Sequence, residues 1–148
     1  MLFRSLADAS VRRATIADHA QLCSLHAHKP TAIKRDLRTM SGLLTTPAMA
    51  TFVLERSGSL AAYACIGKGA DLQSWWHECG GDDHSVSLLL PAAMAALDLE
   101  SAFVLVPPYR PALMELLAPI THLSTTVAGP MALPLIPHAV ARSEEHTS

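Results

Sequence analysis

The sequence predicts an α/β (α+β) fold, in which helices cover both faces of a mixed central sheet. Three features of the 148 residues lead to this prediction. Residues 49–56 alternate with period two, and residues 60–66 and 72–79 follow as two further strands after short turns, which is typical of an antiparallel meander. An apolar helix over 85–97 then precedes a continuous apolar run over 102–106, and together they indicate a strand–helix–strand crossover to a buried parallel strand. A strand and two helices at the N-terminus complete the layers.

The segment before the meander predicts one strand and two helices. Residues 10–15 form a short strand, and Thr15 or Asp18 can cap the helix that follows it. Apolar positions recur every three or four residues along 16–29 and again along 32–44. A proline follows each segment, so both helices have a defined end.

Glycine and proline divide the remaining elements. The Gly-Gly pair at 80–81 is expected to end the third strand of the meander. Pro91 lies inside the next apolar helix and indicates a kink or a later start of that helix. Residues 110–118 predict a short helix, and residues 121–127 and 130–136 are weaker strand candidates.

The composition is that of a folded domain without an affinity for polyanions. Half of the residues are hydrophobic and the mean hydropathy is +0.27, so the chain can bury a sizeable core. The net charge is −2 and the pI is about 6.4, which argues against nucleic acid or an anionic membrane surface as a partner. No apolar run reaches the ~18 residues that a membrane span needs.

The cellular compartment is predicted from the N-terminus and the cysteines. The first residues, MLFRSLADASVRR, contain no signal-peptide core, which favours a cytoplasmic protein. The three cysteines, Cys23, Cys65 and Cys79, are scattered and odd in number. They indicate free thiols in a reducing compartment and no disulfide framework.

The last seven residues differ abruptly from the apolar, proline-rich segment before them. The string RSEEHTS, residues 142–148, looks like the in-frame translation of a common sequencing adapter. A natural polar tail is the alternative. We therefore expect a single domain over residues 1–141 and assign no function to the tail.

Four stretches of the chain resemble the GNAT superfamily of N-acetyltransferases. Residues 11–26, VRRATIADHAQLCSLH, resemble its first strand and helix, and residues 52–67, FVLERSGSLAAYACIG, resemble its second and third strands. WWHECGG at 75–81 lies where that family binds acetyl-CoA, and GPMALPL at 129–135 resembles its last strand. The resemblance covers about residues 10–136. It implies acetyl transfer from acetyl-CoA to an amine of a small molecule or peptide, with no metal.

The coenzyme-binding loop of that family departs from its usual pattern here. The family's Gln/Arg-x-x-Gly-x-Gly/Ala motif holds the pyrophosphate of coenzyme A on backbone N–H groups at a helix N-terminus. The residues that the resemblance assigns to coenzyme A are Cys79, Gly80, Gly81, Asp83, His84 and Ser85. Asp82 and Asp83 place carboxylates where a pyrophosphate would lie, and like charges repel. A helix capped by its own aspartate is therefore as well supported as a cofactor site.

The resemblance also suggests catalytic residues. The family often uses a glutamate at the fourth strand as general base, and Glu78 holds that place with His77 beside it. Strand alternation puts their side chains on opposite faces, so only one of them is expected to face the cleft. The family's tyrosine acid has no counterpart within 110–118, and Tyr109, just before that helix, is the nearest candidate. The Asn usual after the fifth strand is replaced by Pro107-Pro108.

Two other groups of residues have simpler interpretations. His19, Cys23 and His26 share the spacing of one helix face but supply only three ligands, so we expect no metal site there. Trp75 and Trp76 are adjacent on a strand and should point to opposite faces. One is expected in the core and the other at a cleft or partner surface.

Two functions follow from these patterns. The first is an N-acetyltransferase that uses Glu78 or His77 as its base. The second is a non-catalytic, degenerate GNAT-like domain, one half of a tandem protein, with a structural or substrate-binding role. A homodimer or a tandem GNAT partner domain fits either function.

Overall fold

The computed structural model describes residues 9–121, and its element order matches the predicted one. The elements are β1 (Ala9–Arg13), a 3₁₀ turn (Ile16–Asp18), α1 (His19–Ala27), α2 (Leu37–Leu44), β2 (Ala50–Arg56), β3 (Ser59–Ile66), β4 (Trp75–Gly81), α3 (Asp83–Ala96), β5 (Phe103–Val104), α4 (Pro111–Leu117) and a second 3₁₀ turn (Ala118–Ile120). The strands form one sheet in the order β1-β2-β3-β4-β5. All pairs are antiparallel except β4 with β5, which is parallel. The predicted mixed α/β sheet is confirmed.

Hydrophobic side chains leave the sheet on both faces, as strand alternation requires. Phe52 of β2 packs in a cluster with buried side chains of α3 and α4, and Trp76 of β4 lies in the same cluster. Val53, the next residue after Phe52, packs on the opposite face with Leu22 of α1 and Met40 of α2. Helices therefore cover both faces of the sheet, and each face has its own core.

The start of α1 is held to the sheet by one buried carboxylate. Asp18 is only 4% exposed and accepts hydrogen bonds from the Thr15 backbone N–H at 2.7 Å and from two nitrogens of Arg12 at 2.8 and 2.9 Å. Arg12, in β1, also donates to Glu55 in β2 at 2.9 Å. The Arg12 guanidinium holds the pKa of Asp18 well below its usual range. The predicted capping positions are confirmed, with Thr15 before the 3₁₀ turn and Asp18 before α1.

Two predicted boundaries are wrong by several residues. The second helix begins at Leu37, because Asp36 caps it by accepting from the Thr39 N–H at 2.7 Å, and residues 32–36 are not helical. The Gly-Gly pair does not end the third strand of the meander, since β4 runs through Gly81. Glycine tolerates the positive φ of Gly81, which is 101°, so the strand keeps its pairing there.

The crossover also differs in detail. The helix α3 begins at Asp83, earlier than predicted, and continues past Pro91. The predicted strand over 102–106 shrinks to Phe103–Val104, and the side chain of Phe103 is 56% exposed. The expectation of a fully buried parallel strand is therefore wrong for the residues that the structure describes. The strand is short because the chain after Val104 turns away from β4 and makes only one further backbone hydrogen bond to it, from the Leu105 N–H to the Trp76 carbonyl.

Some predictions fall beyond the described residues. The strand candidates at 121–127 and 130–136 lie outside them, except for Thr121, and so does the tail at 142–148. Between residues 9 and 121, no helix has the length and apolar character needed to cross a membrane.

Candidate functional site

A cleft opens where β4 and the chain after β5 separate. The two strands pair only at Trp75 with Phe103 and at Trp76 with Val104, and the Leu105 N–H makes the last bond to the Trp76 carbonyl at 3.0 Å. The strand β4 then continues to Gly81, and within residues 9–121 nothing pairs with this edge. The cleft between them holds about 120 Å³. Unpaired strand N–H and C=O groups are strong binding groups for an extended ligand.

The prediction for the adjacent tryptophans is confirmed for Trp76, which lies in the core, whereas Trp75 is half-buried and does not line the cleft. Trp76 is 1% exposed and packs at the edge of the Phe52 ring, with centroids 6.2 Å apart. Trp75 stacks on Phe103 with ring centroids 4.6 Å apart and planes at 20°. This stacked pair lies where the two strands still pair.

An extra residue in β4 changes which side chains face the cleft. Cys65 of β3 lies opposite Glu78, and its neighbour Ile66 lies opposite Trp76, so His77 has no counterpart in β3. This is a β-bulge, and it breaks strand alternation. The prediction that only one of His77 and Glu78 faces the cleft is wrong, because both side chains line it.

The neutral imidazole of His77 has a defined tautomer. Its Nε2 lies 2.9 Å from the carbonyl oxygen of Gly67, which can only accept, so Nε2 carries the proton. The Nδ1 atom then holds a lone pair. Burial lowers the pKa of His77, and the ring is neutral near pH 7.

Glu78 lies in the centre of a buried ion network. Arg35 donates to both of its carboxylate oxygens, at 2.6 and 2.8 Å, and the Tyr63 hydroxyl donates to Oε1 at 2.8 Å. The ammonium of Lys29 is 3.6 Å from the same oxygen. Burial alone raises the pKa of Glu78, but the hydrogen bonds from Arg35 and the charge of Lys29 outweigh it and hold the pKa at about 2. The carboxylate therefore stays ionised at neutral pH.

His26 supports this network from α1. Its Nε2 is 2.8 Å from the Ile33 carbonyl and so carries the proton, while Nδ1 accepts from Arg35 Nη1 at 3.4 Å. Burial lowers the pKa of His26. The side chain is thus occupied in the core. In the part of the chain that the structure describes, no group of three or more His, Cys, Asp or Glu is placed to hold a metal ion.

Sequence reasoning missed the partners of Glu78. Arg35 lies 43 residues away in a segment that was predicted to be helical, and its contact depends on the packing of α1 and α2 against the sheet. One local signal was present. Tyr63 lies opposite Gly80, and a Cβ at Gly80 would overlap the Tyr63 ring. Glycine at this position leaves the space through which the phenol reaches Glu78.

The N-terminus of α3 is closed by the chain's own residues. Only Asp82 separates β4 from α3, and its Oδ1 accepts from the Ser85 N–H at 2.8 Å. Arg110, just before α4, donates to Asp83 Oδ1 at 2.6 Å and to the Gly81 carbonyl at 2.9 Å. Sequence reasoning singled out the aspartates but not Arg110. The sequence interpretation of a helix capped by its own aspartate is confirmed as geometry.

The other predicted site residues divide between the cleft and the helix terminus. Cys79 lines the cleft and is 9% exposed, and Arg110 Nη1 lies 3.3 Å from its Sγ. Burial raises the pKa of the Cys79 thiol, which disfavours a thiolate nucleophile. Tyr109 lines the opposite wall and is 38% exposed. Ser85 is fully buried and His84 is exposed, and both lie in the first turn of α3.

Replacement of Asp82 with alanine should lower the free energy of unfolding by about 1 kcal/mol, because the Ser85 N–H loses its acceptor at the helix start. Urea denaturation followed by circular dichroism measures this change. Asp82→Ser is the matched control, since serine also caps, and it should retain most of the stability. Equal losses in both variants would contradict a capping role.

Acid should destabilise the fold through Glu78. Its pKa is lowered from 4.5 in the unfolded chain to about 2 in the folded one, so the unfolded state takes up a proton first as the pH falls. The stabilisation is complete above about pH 4.5 and is lost as the pH falls towards 2. We expect a loss of roughly 2–3 kcal/mol across that window. Denaturant midpoints measured against pH test this, and Glu78→Gln should flatten the dependence.

Comparison with known proteins gives a match in structure only. The sequence matches no protein-family model and none of the curated proteins. Among solved structures, an N-acetyltransferase from Staphylococcus aureus Mu50 aligns with a TM-score of 0.60 at 14% identity, over 77% of this chain and 82% of that one. A ribosomal-protein-alanine N-acetyltransferase from Brucella melitensis biovar Abortus 2308 gives 0.59 at 14%, over 81% and 95%.

A third similar structure contains a bound coenzyme. Aminoglycoside N-acetyltransferase AAC(6')-Iy in complex with CoA aligns with a TM-score of 0.57 at 9% identity, over 81% of this chain and 91% of that one. At such identities the likeness concerns the fold. The five-stranded sheet, its antiparallel meander and its parallel crossover therefore form a domain with the GNAT acetyltransferase fold.

Proposed function

We propose that this domain transfers an acetyl group from acetyl-CoA to an amine of a small molecule or peptide. The observation that carries the proposal is the cleft where β4 leaves β5, since it brings His77, Glu78 and Tyr109 around one unpaired strand edge. These are the three catalytic candidates that the sequence suggested. The three solved structures described above carry the names of N-acetyltransferases, which supports the same reaction class.

The cleft fits one part of coenzyme A and not the other. The unpaired edge of β4 can bond the amides of the pantetheine arm, and Leu105 and Val106 give that arm an apolar wall. The N-terminus of α3 does not fit the diphosphate in the arrangement described, because Asp82 caps it and Arg110 is already bonded to Asp83.

The protein's own residues would handle the protons. When bound, acetyl-CoA supplies the thioester carbonyl that an amine attacks. His77 Nδ1 holds a lone pair that can take the proton of the acceptor ammonium, and a general base is worth about 10²–10⁴-fold in rate. Tyr109 on the opposite wall can return a proton to the departing thiolate. Glu78 is held by Arg35 and acts here by fixing charge and position.

Titration of the full chain with acetyl-CoA, followed by a thiol-release assay with a panel of amines, tests the proposal. We expect micromolar binding and turnover. The variant His77→Ala should lower kcat by roughly 100-fold while leaving the Kd for acetyl-CoA unchanged. His28→Ala is the control, because His28 is exposed at the end of α1 and does not line the cleft.

The second candidate is a non-catalytic, degenerate domain that binds a partner or substrate. The closed N-terminus of α3, with the Arg110–Asp83 bond across it, favours this alternative. A folded chain that shows no binding at millimolar acetyl-CoA would support it and exclude the stand-alone enzyme. Unchanged turnover in His77→Ala would instead exclude His77 as the base.

A further inference from the structure

The side of the cleft formed by residues 26–35 carries an excess of positive charge. Lys29 and Arg35 line it, and Glu78 is the one carboxylate among the lining residues that the structure describes. His26 and His77 also line the cleft, and burial lowers the pKa of both, so they are neutral near pH 7. Two cations against one carboxylate leave a net charge of +1 in this lining.

The net positive charge of the cleft lining comes from Lys29, because Arg35 is paired with Glu78. Arg35 occupies both oxygens of Glu78, whereas Lys29 Nζ stays 3.6 Å from Oε1, beyond a hydrogen bond. Between residues 9 and 121, no group accepts a hydrogen bond from Lys29 Nζ. The side chain is nevertheless only 14% exposed. Burial lowers the pKa of Lys29, because it removes water from the charged form, and Glu78 at 3.6 Å offsets this only in part. A ligand anion in the cleft would stabilise the ammonium further.

We propose that Lys29 binds a carboxylate of the acceptor, so that the substrate is an amine that also carries a carboxylate, such as an amino acid. This inference rests on the proposed acetyl transfer and names its substrate class. The net charge of +1 in the cleft lining matches the single negative charge of a carboxylate. The Tyr63 ring lies 5.1 Å from Nζ and helps to hold the ammonium in place.

The first experiment does not depend on catalysis. Propionate and its neutral isostere propionamide are titrated into the isotopically labelled full chain, and amide resonances are followed by NMR. Propionate should shift the resonances of residues around Lys29 and Glu78, and propionamide should not. Lys29→Met should abolish the shifts, Lys29→Arg should retain them, and Lys34→Met, at an exposed lysine of the same segment, should leave them unchanged.

Equal shifts with both probes, or none with propionate, would overturn the inference. Tighter binding of inorganic phosphate than of propionate would also overturn it, because the site would then select a phosphate. Circular dichroism of Lys29→Met and Lys29→Arg confirms that each variant is folded. Retained binding in Lys29→Arg excludes a merely structural effect of Lys29→Met.

The second experiment uses matched acceptors with acetyl-CoA. Lysine and cadaverine share the same terminal amine, but only lysine has a carboxylate. Lysine should be acetylated with a kcat/KM roughly tenfold higher or more, and Lys29→Met should remove the preference. Equal use of the two amines overturns the inference and leaves acetyl transfer intact. No turnover of either amine, with propionate still bound through Lys29, supports the anion site and shows that neither amine is an acceptor. Loss of acetyl-CoA binding would refute the proposed function separately.

Discussion

Replacing Arg35 with alanine is expected to lower the free energy of unfolding by about 3 kcal/mol. The carboxylate of Glu78 is only 14% exposed, and the substitution removes the guanidinium that donates hydrogen bonds to both of its oxygens. Lys29 at 3.6 Å compensates only in part. The pKa of Glu78 should rise in this variant, because burial is then opposed by fewer favourable contacts. Chemical denaturation at pH 7 measures the loss.

The matched control is Arg38→Ala, an exposed arginine on the adjacent helix α2, which should change stability by less than about 0.5 kcal/mol. If Arg35→Ala is no more harmful than Arg38→Ala, the ion network does not stabilise the fold.

Gly81→Ala should destabilise the domain by about 3 kcal/mol or more. The φ angle at this position is 101°, which a residue with a Cβ rarely adopts, and the added Cβ would overlap the carbonyl oxygen of Ala61. The strand β3 would have to shift away from β4 to make room for the Cβ. The hydrogen bond from Arg110 to the Gly81 carbonyl would also be disturbed. Thermal unfolding of the variant measures the effect.

The control for this prediction has the opposite sign. Gly42 lies in α2 with open space around it, so Gly42→Ala should stabilise the domain by about 0.5–1 kcal/mol through helix propensity. A Gly81→Ala variant with an unchanged melting temperature would show that the end of β4 can adopt an ordinary extended conformation.

The strands of the sheet could be predicted because each is indicated by residues that are close together in the sequence. Runs of apolar, β-branched and aromatic residues separated by short polar turns indicate the strands, and such runs are visible in short windows of sequence. Adjacent residues such as Phe52 and Val53 are both apolar because each face of the sheet has its own core. The order of meander and crossover then limited the topology to very few arrangements. The boundaries at Leu37 and Gly81 failed because a single aspartate cap and a single left-handed glycine decided them.

The candidate site could be predicted only in part. Its β4 members, His77 to Cys79, follow from the family resemblance of one strand. Arg35 and Lys29 come from the chain between α1 and α2, and Arg110 comes from beyond β5, so each depends on tertiary packing that no local pattern encodes. The lowered pKa of Glu78 could not be predicted for the same reason. The local sequence around Glu78 would be the same whether its carboxylate were solvent-exposed or buried in an ion pair.

The bulge in β4 also bears on how this strand tolerates changes in length. Because His77 has no counterpart in β3, a chain lacking it would still place Trp76 opposite Ile66 and Glu78 opposite Cys65. Every core side chain of the strand would keep its face, and the hydrogen-bond ladder would become regular. The sheet has no need of His77 for its own construction. The sheet can form without His77, and the imidazole of His77 lies in the cleft. Binding of a ligand in the cleft is therefore the reason to keep a histidine at this position.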